Sequence, residues 1–481
     1  MKSILDLRDD LDTGKITSEE LFNKTIEKAH KYQDKYNSFV TILDKYNHEK
    51  SNSLIDGICY ALKDNISTKG ILSTASSNIL KDYIPVYDAT VYKKLKEAGG
   101  VLVGKTVLDE LAMGGTGTTG HTGIVKNPWN ENHQIGGSSA GSAASVALGI
   151  VPFAIGSDTG DSIRKPAAFG GVVGFKPTYG RISRYGLFAF ASSLDHVGVF
   201  TRNVRDAALV TDIIKGHDTR DMTSLPDEDI KYLDMVDDDI KGKKLFYIKE
   251  LTDTNLYKDA GKETLEILDK FKSTIEKCRS LGFIVEEVSF DEKLLKAIYP
   301  AYMTISCAEA TSNNSNLTGI IFGPRGDGDN INDIMFDART KGFSELIKRR
   351  FILGSYILQK ENQERLFKNA GRLRRIIVDK MNELYKKYDA MILPASGGVA
   401  PTFDGEIDRM SPRYLMLENH MAIGNFGGFP SITIPNGFVN NMPIGINITG
   451  RVFEDGLTLN IANKIEESLG YKDLIKEEYD V

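Results

Sequence analysis

Val151-Pro152-Phe153-Ala154-Ile155-Gly156-Ser157-Asp158-Thr159-Gly160-Asp161-Ser162-Ile163-Arg164 passes from an apolar run into a turn of small and polar residues. The run over 151–155 reads as a buried strand, because a strand covered on both faces needs no polar alternation. The small residues after it mark a turn where backbone and ligand can approach closely. Residues 58–62 and 101–103 are runs of the same kind, and 90–97 and 142–148 carry helical patterns between them. Strands alternating with helices predict an α/β sheet.

Outside this region, Thr17 followed by Glu20 predicts a capping box that opens a helix over about 18–36, with Leu21, Ile26 and Ala29 at helical spacing. Residues 216–244 are rich in Asp, Lys and Thr and read as a solvated connection. Beyond it, 245–248, 283–290, 390–393, 431–434 and 444–448 read as strands. Residues 260–281 and 343–388 read as helical, and Leu457, Ile461 and Ile465 as a closing helix.

With 41% hydrophobic and 26% charged residues over 481 positions, the chain can bury a large core, which excludes a disordered or fibrous class. Its formal charge of −6 argues against a nucleic-acid surface, which clusters Lys and Arg, so any RNA is expected on another chain. Cys59, Cys278 and Cys307 form no CxxC pair, so neither a zinc site nor a disulfide framework is expected. No stretch reaches the roughly 18 apolar residues of a membrane span. The acidic start lacks the apolar core of a signal peptide. The expected setting is cytoplasmic, away from membranes.

Two motif matches do not survive their context. Gly99-Gly100-Val101-Leu102-Val103-Gly104-Lys105-Thr106 has P-loop spacing, but 101–103 reads as the strand itself rather than the turn after one. Gly137-Ser138-Ser139-Ala140-Gly141 fits the GxSxG elbow, yet Asn130-Glu131-Asn132-His133-Gln134 is no strand to carry it. His196, His217 and His420 have no setting that singles one out as a triad base.

Three segments read together are more specific. Ala61-Leu62-Lys63-Asp64-Asn65, Gly136-Gly137-Ser138-Ser139-Ala140-Gly141-Ser142 and Gly156 to Arg164 follow one another, with Ser162 standing 24 residues after Ser138. In order and spacing they resemble the amidase signature family. Asn127-Pro128-Trp129 and residues 172–186, 189–195, 216–221 and 348–354 are similar to one group within it. That group is the glutamine-hydrolysing subunits of amidotransferases acting on Glu-tRNA(Gln). The resemblance covers nearly the whole chain, with 43–53 shortened. It implies the α/β amidase-signature fold, a central mixed β-sheet flanked by helices on both faces. The expected organisation is an N-terminal helical arm at 1–50 and an amidase-signature domain at 51–481, with the charged connection near 216–244 and a helical segment near 343–388.

The resemblance also implies chemistry. A serine hydroxyl attacks an amide only with a base in reach, and lysine is a base only when neutral. Lys63 is the expected base, Ser138 the bridging hydroxyl on a cis peptide bond, and Ser162 the nucleophile. Backbone N–H groups of Thr159, Gly160, Asp161 and Ser162 are the expected oxyanion hole. For glutamine, Arg350 takes the α-carboxylate, Tyr302 lines the pocket, and Glu418 stands where the family carries an aspartate. The chain itself is expected to hold no metal or cofactor. A kinase/transamidase partner subunit would use ATP and magnesium and bind most of the tRNA, and a small bridging subunit would join the two.

This sequence departs from the pattern at three places. Asp161 replaces a glycine before the nucleophile, and a carboxylate about 4 Å from a developing oxyanion costs roughly 4 kcal/mol at an effective dielectric of about 20. Glu418 is one methylene longer than aspartate. Residues 313–323 lack an arginine and an aspartate usual in the group. The alternatives are a stand-alone amidase for another carboxamide, or a catalytically weakened scaffold subunit.

Overall fold

The computed structural model describes residues 2–405 and 408–479. The strands are β1 (Phe39–Ile42), β2 (Cys59–Lys63), β3 (Val101–Thr106), β4 (Phe153–Asp158), β5 (Val173–Lys176) and β6 (His196–Thr201), then β7 (Lys244–Ile248), β8 (Ile284–Val288), β9 (Ala390–Pro394), β10 (Ser431–Val439) and β11 (Met442–Gly450). They form one sheet in the order β1-β3-β2-β4-β6-β5-β10-β11-β9-β7-β8. β2 is parallel to β3 and β4, and β7 to β8 and β9, while the middle of the sheet from β4 to β9 is antiparallel. The sheet is therefore mixed. Every residue of β2, β3, β4, β5, β6, β9 and β11 is buried, which requires cover on both faces. Helices including Arg164–Gly170, Val204–Ile214, Lys262–Ser280 and Asp455–Leu469 supply that cover.

Local signals explain several elements. The Thr17 hydroxyl accepts from the Glu20 N–H while the Glu20 carboxylate accepts from the Thr17 N–H, so the capping box starts the helix Ser18–Tyr36. β10 turns into β11 through Asn440 and Asn441, both at positive φ, the backbone a tight hairpin needs and asparagine tolerates. Residues 1–50 hold two helices, Ile4–Asp12 and Ser18–Tyr36, and then β1, which pairs antiparallel with β3 at the sheet edge.

The elements that the sequence reading did not place include β1, β5 and β6, the helices Ile4–Asp12 and Val204–Ile214, and two more helices. β1 is only four residues long and exists through its pairing with β3. The helix Glu292–Asn313 runs through Pro300, and Ile331–Gly342 follows a glycine-rich loop. The helical stretch expected over 343–388 is divided, with Glu345–Leu358 and Asn369–Tyr385 as its long pieces. Val101–Thr106 is a strand as expected, and its Lys105 is fully buried, donating to the Ile66 carbonyl at 2.9 Å and the Ser73 hydroxyl at 2.6 Å. No phosphate can reach that ammonium. No helix among the described residues is long and apolar enough to cross a membrane.

Candidate active site

Because β2 and β4 are parallel neighbours, their C-terminal ends open on the same edge of the sheet, where ligands of α/β sheets gather. Lys63 is the last residue of β2. Asp158 ends β4, and the following turn leads through Ser162 into the helix Arg164–Gly170. Ser138 enters from a third direction, just before the helix Ala140–Ala147. The Gly137–Ser138 peptide is cis. Gly137 has to be glycine, since a Cβ there would sit 2.0 Å from an Asp109 carboxylate oxygen. That carboxylate accepts the N–H groups of Thr116, Gly117, Thr118 and Thr119, fixing the neighbouring loop.

Lys63 is fully buried, and its Nζ donates to the Ser138 hydroxyl at 2.8 Å, the Ser139 hydroxyl at 2.8 Å and the Ser157 hydroxyl at 2.9 Å. All three partners are neutral. Burial pushes its pKa from the usual 10.5 down to about 7, although Asp109, Asp158 and Asp195 pull the other way. Close to neutral pH a large fraction of this amine is therefore unprotonated and able to accept a proton.

Arg164 holds the turn that carries Ser162. Its guanidinium donates to both oxygens of Asp158, to the Gly160 carbonyl at 2.7 Å and to the Asn425 side chain at 2.6 Å, all buried. Burial raises the Asp158 carboxyl, but Arg164 outweighs it and holds the group below the usual carboxylate range. The Thr159 hydroxyl donates to Asp195 at 2.7 Å. Among the described residues, the backbone N–H groups of Gly160, Asp161 and Ser162 find no acceptor. Ser162 is nearly buried, and among the described residues its Oγ finds no hydrogen-bond partner. Its carbonyl accepts the Ser139 N–H at 3.2 Å, which ties the turn to the Lys63 cluster.

The expected pocket residues come from three further segments. Tyr302, on Glu292–Asn313, packs its ring so near that a Cβ on Gly160 would lie 2.9 Å from it. Arg350, on Glu345–Leu358, lies over the Phe190 ring at 5.6 Å, with Nε and Nη1 buried and without a hydrogen-bond partner. Glu418 follows the turn Arg413–Leu417 and pairs with Lys165 at 2.9 Å. Asp161 is half-buried and lies outside the left-handed region, so the turn accepts a side chain there. Burial raises its carboxyl to about 6, with Asp158 and Glu418 adding to the shift and Lys165 and Arg164 opposing it.

A shared ancestry accounts for this arrangement, because the family model described as Amidase matches residues 20–459. The chain belongs to the amidase family. This amidase is 40% identical over 478 residues to the A subunit of glutamyl-tRNA(Gln) amidotransferase from Halothermothrix orenii, with 98% of each chain covered. It is 38% identical to the protein of that name from Sulfolobus acidocaldarius, covering 98% of this chain and 99% of the relative. The crystal structure of the corresponding glutamyl-tRNA(Gln) amidotransferase protein from Thermotoga maritima superposes with a TM-score of 0.82 and 34% identity, covering 99% of this chain and 97% of that one.

The histidines of the amidase serve other ends. The Nδ1 atoms of His196 and His420 pair with the carbonyls of Leu194 and Leu417, both rings are buried, and His217 is exposed. None of them meets Ser138 or Ser162. Sequence reasoning overlooked Ser139 and Ser157, which share Lys63 with Ser138, and Lys165, which neutralises Glu418. All three lie in the glycine-rich segments around Ser138 and Ser162 or directly after them, so their positions were visible while their partners were not. Among the described residues no cluster of metal-ligating side chains occurs.

Proposed function

We infer that this amidase is the glutamine-hydrolysing subunit of a tRNA-dependent amidotransferase that turns Glu-tRNA(Gln) into Gln-tRNA(Gln). The observation that carries the reading is a buried, part-neutral Lys63 hydrogen-bonded to Ser138, beside a turn whose N–H groups are unclaimed. The name shared by relatives that match almost end to end supplies the substrate.

In this reading Ser138 passes a proton from the Ser162 hydroxyl to Lys63 as Ser162 Oγ bonds to the glutamine amide carbon. The carbonyl oxygen becomes an oxyanion, met by the N–H groups of the turn from Thr159 to Ser162. The proton returns through Ser138 to the leaving nitrogen, the C–N bond breaks, and ammonia departs. Water then attacks the glutamyl ester by the same relay, releasing glutamate and restoring Ser162. Arg350 pairs with the α-carboxylate through its unoccupied nitrogens, and Tyr302 walls the pocket against Gly160.

The name of the relatives implies a multi-subunit complex. The partners in this reading are a kinase/transamidase subunit, which binds most of the tRNA and uses ATP and magnesium, and a small bridging subunit. Ammonia released at Ser162 would be consumed there. A glutaminase assay of the chain, alone and with these partners, tests the reading. Glutamine-dependent ammonia release that Ser162→Ala abolishes is the expected result, whereas turnover of simple amides without any of glutamine would point to a stand-alone amidase.

A further inference from the structure

We propose that Asp161 receives the α-ammonium of glutamine and is thereby a specificity-determining residue of this site. The proposal rests on the glutaminase reading above. The Asp161 carboxylate stands one residue before Ser162, partly buried and without a hydrogen bond to any described group. Lys165, a cation whose charge acts on Asp161, is already committed: its ammonium donates to the Glu418 carbonyl at 2.8 Å and to the Glu418 carboxylate at 2.9 Å. A part-buried carboxylate that no described group pairs with is open to a cationic ligand.

The complement stands close by. Tyr302 packs on Gly160 and lies within electrostatic reach of both Asp161 and Arg350. Arg350 keeps Nε and Nη1 buried and unpartnered. One aromatic wall therefore has an unsatisfied anion near it and an unsatisfied cation near it, which is the complement of a zwitterionic α-amino acid head group. The spacing also fits, since neighbouring Cα atoms are about 3.8 Å apart, comparable to the span from the α-carbon of glutamine to its amide carbon. In this proposal a glutamine held on Ser162 by its amide runs toward residue 161 and brings its ammonium there.

Glu418, which the resemblance casts in this part, is already satisfied. Its carboxylate accepts from Lys165 at 2.9 Å, the Ser396 hydroxyl at 3.0 Å, the Gly397 N–H at 3.1 Å and Arg413 at 3.4 Å. A substrate ammonium there would have to share the carboxylate with the charge of Lys165. The longer side chain at 418 and the carboxylate at 161 thus belong together: one binds the lysine and the other takes over the substrate's cation. The same negative charge remains unfavourable to the oxyanion, so Asp161 slows the chemical step for any amide while favouring amides that carry an α-ammonium.

The test compares glutamine with 4-carbamoylbutanoate, which keeps the carboxylate and the amide but lacks the amine, in steady-state kinetics of the assembled complex. Asp161→Asn should lower the ratio of kcat/KM for glutamine to that for the analogue at least tenfold, mainly through the KM for glutamine. Asp161→Glu, which restores the charge, should recover most of the ratio, and Glu418→Gln should shift it less than Asp161→Asn does. A ratio unmoved by Asp161→Asn overturns the proposal, and so does an equal loss on both substrates or a larger shift from Glu418→Gln. Wild-type protein that cleaves the analogue but not glutamine would overturn the glutaminase reading itself, and the proposal with it.

Discussion

The Arg164 guanidinium grips both oxygens of Asp158, with Nε 3.1 Å from one and Nη2 3.0 Å from the other, and neither side chain is exposed. This pair closes the turn between β4 and the following helix, so it sets where Ser162 stands. Arg164→Met leaves Asp158 as an uncompensated buried charge, a change that costs on the order of 3–5 kcal/mol. Thermal melting should show a large drop, and adding Asp158→Asn should recover part of it. A variant that melts with the wild type would mean that the turn is held by other contacts.

Ser162→Ala should lower glutamine hydrolysis by on the order of 10⁴-fold or more while the circular dichroism spectrum stays native, because it removes the nucleophile of the proposed mechanism. Lys63→Met should lose a comparable amount, and the double variant little beyond either single one, since members of one relay act as a unit. Losses that multiply would separate Lys63 from the Ser162 reaction.

The strands that carry the site were legible because each is an apolar run closed by small residues. The run at 151–155 ends at Ser157 and Asp158, the point where the chain turns toward Ser162. Two of the missed elements have a reason that is nonlocal. β1 exists through its pairing with β3, and the helix Glu292–Asn313 contains Pro300, a residue that usually ends helices. In the site, spacing and resemblance drew attention to Lys63, Ser138 and Ser162. The long-range pairings could not be read that way: Arg164 with Asn425 and Lys165 with Glu418 each join positions more than 250 residues apart.

The pH profile of kcat/KM reports the free enzyme. In the proposed mechanism Lys63 is a base, which it can be only when unprotonated, and burial has brought its pKa down to about 7. Activity should therefore be low in acid and rise through about pH 7 toward a plateau above it. Protonation below that point disables the base. A profile flat from about pH 6 to 8 would show either that Lys63 is not the proton acceptor or that its charge is held elsewhere.

Arg350 offers the most direct check on the substrate. Its Nε and Nη1 atoms lie buried, neither they nor the rest of the guanidinium meet a carboxylate among the described residues, and in the proposed function a ligand anion completes them. A hydrogen bond to a charged group contributes about 1.5–3 kcal/mol, so Arg350→Ala should lower kcat/KM for glutamine by roughly ten- to hundredfold. The loss should fall mainly on KM, because the α-carboxylate is bound as tightly before the reaction as during it. A short aliphatic amide has no carboxylate to lose, and its kcat/KM should change by a much smaller factor. Parallel losses on both substrates would instead mean that Arg350 supports the wall formed by Phe190 and Tyr302, and that the carboxylate of glutamine is held by another group.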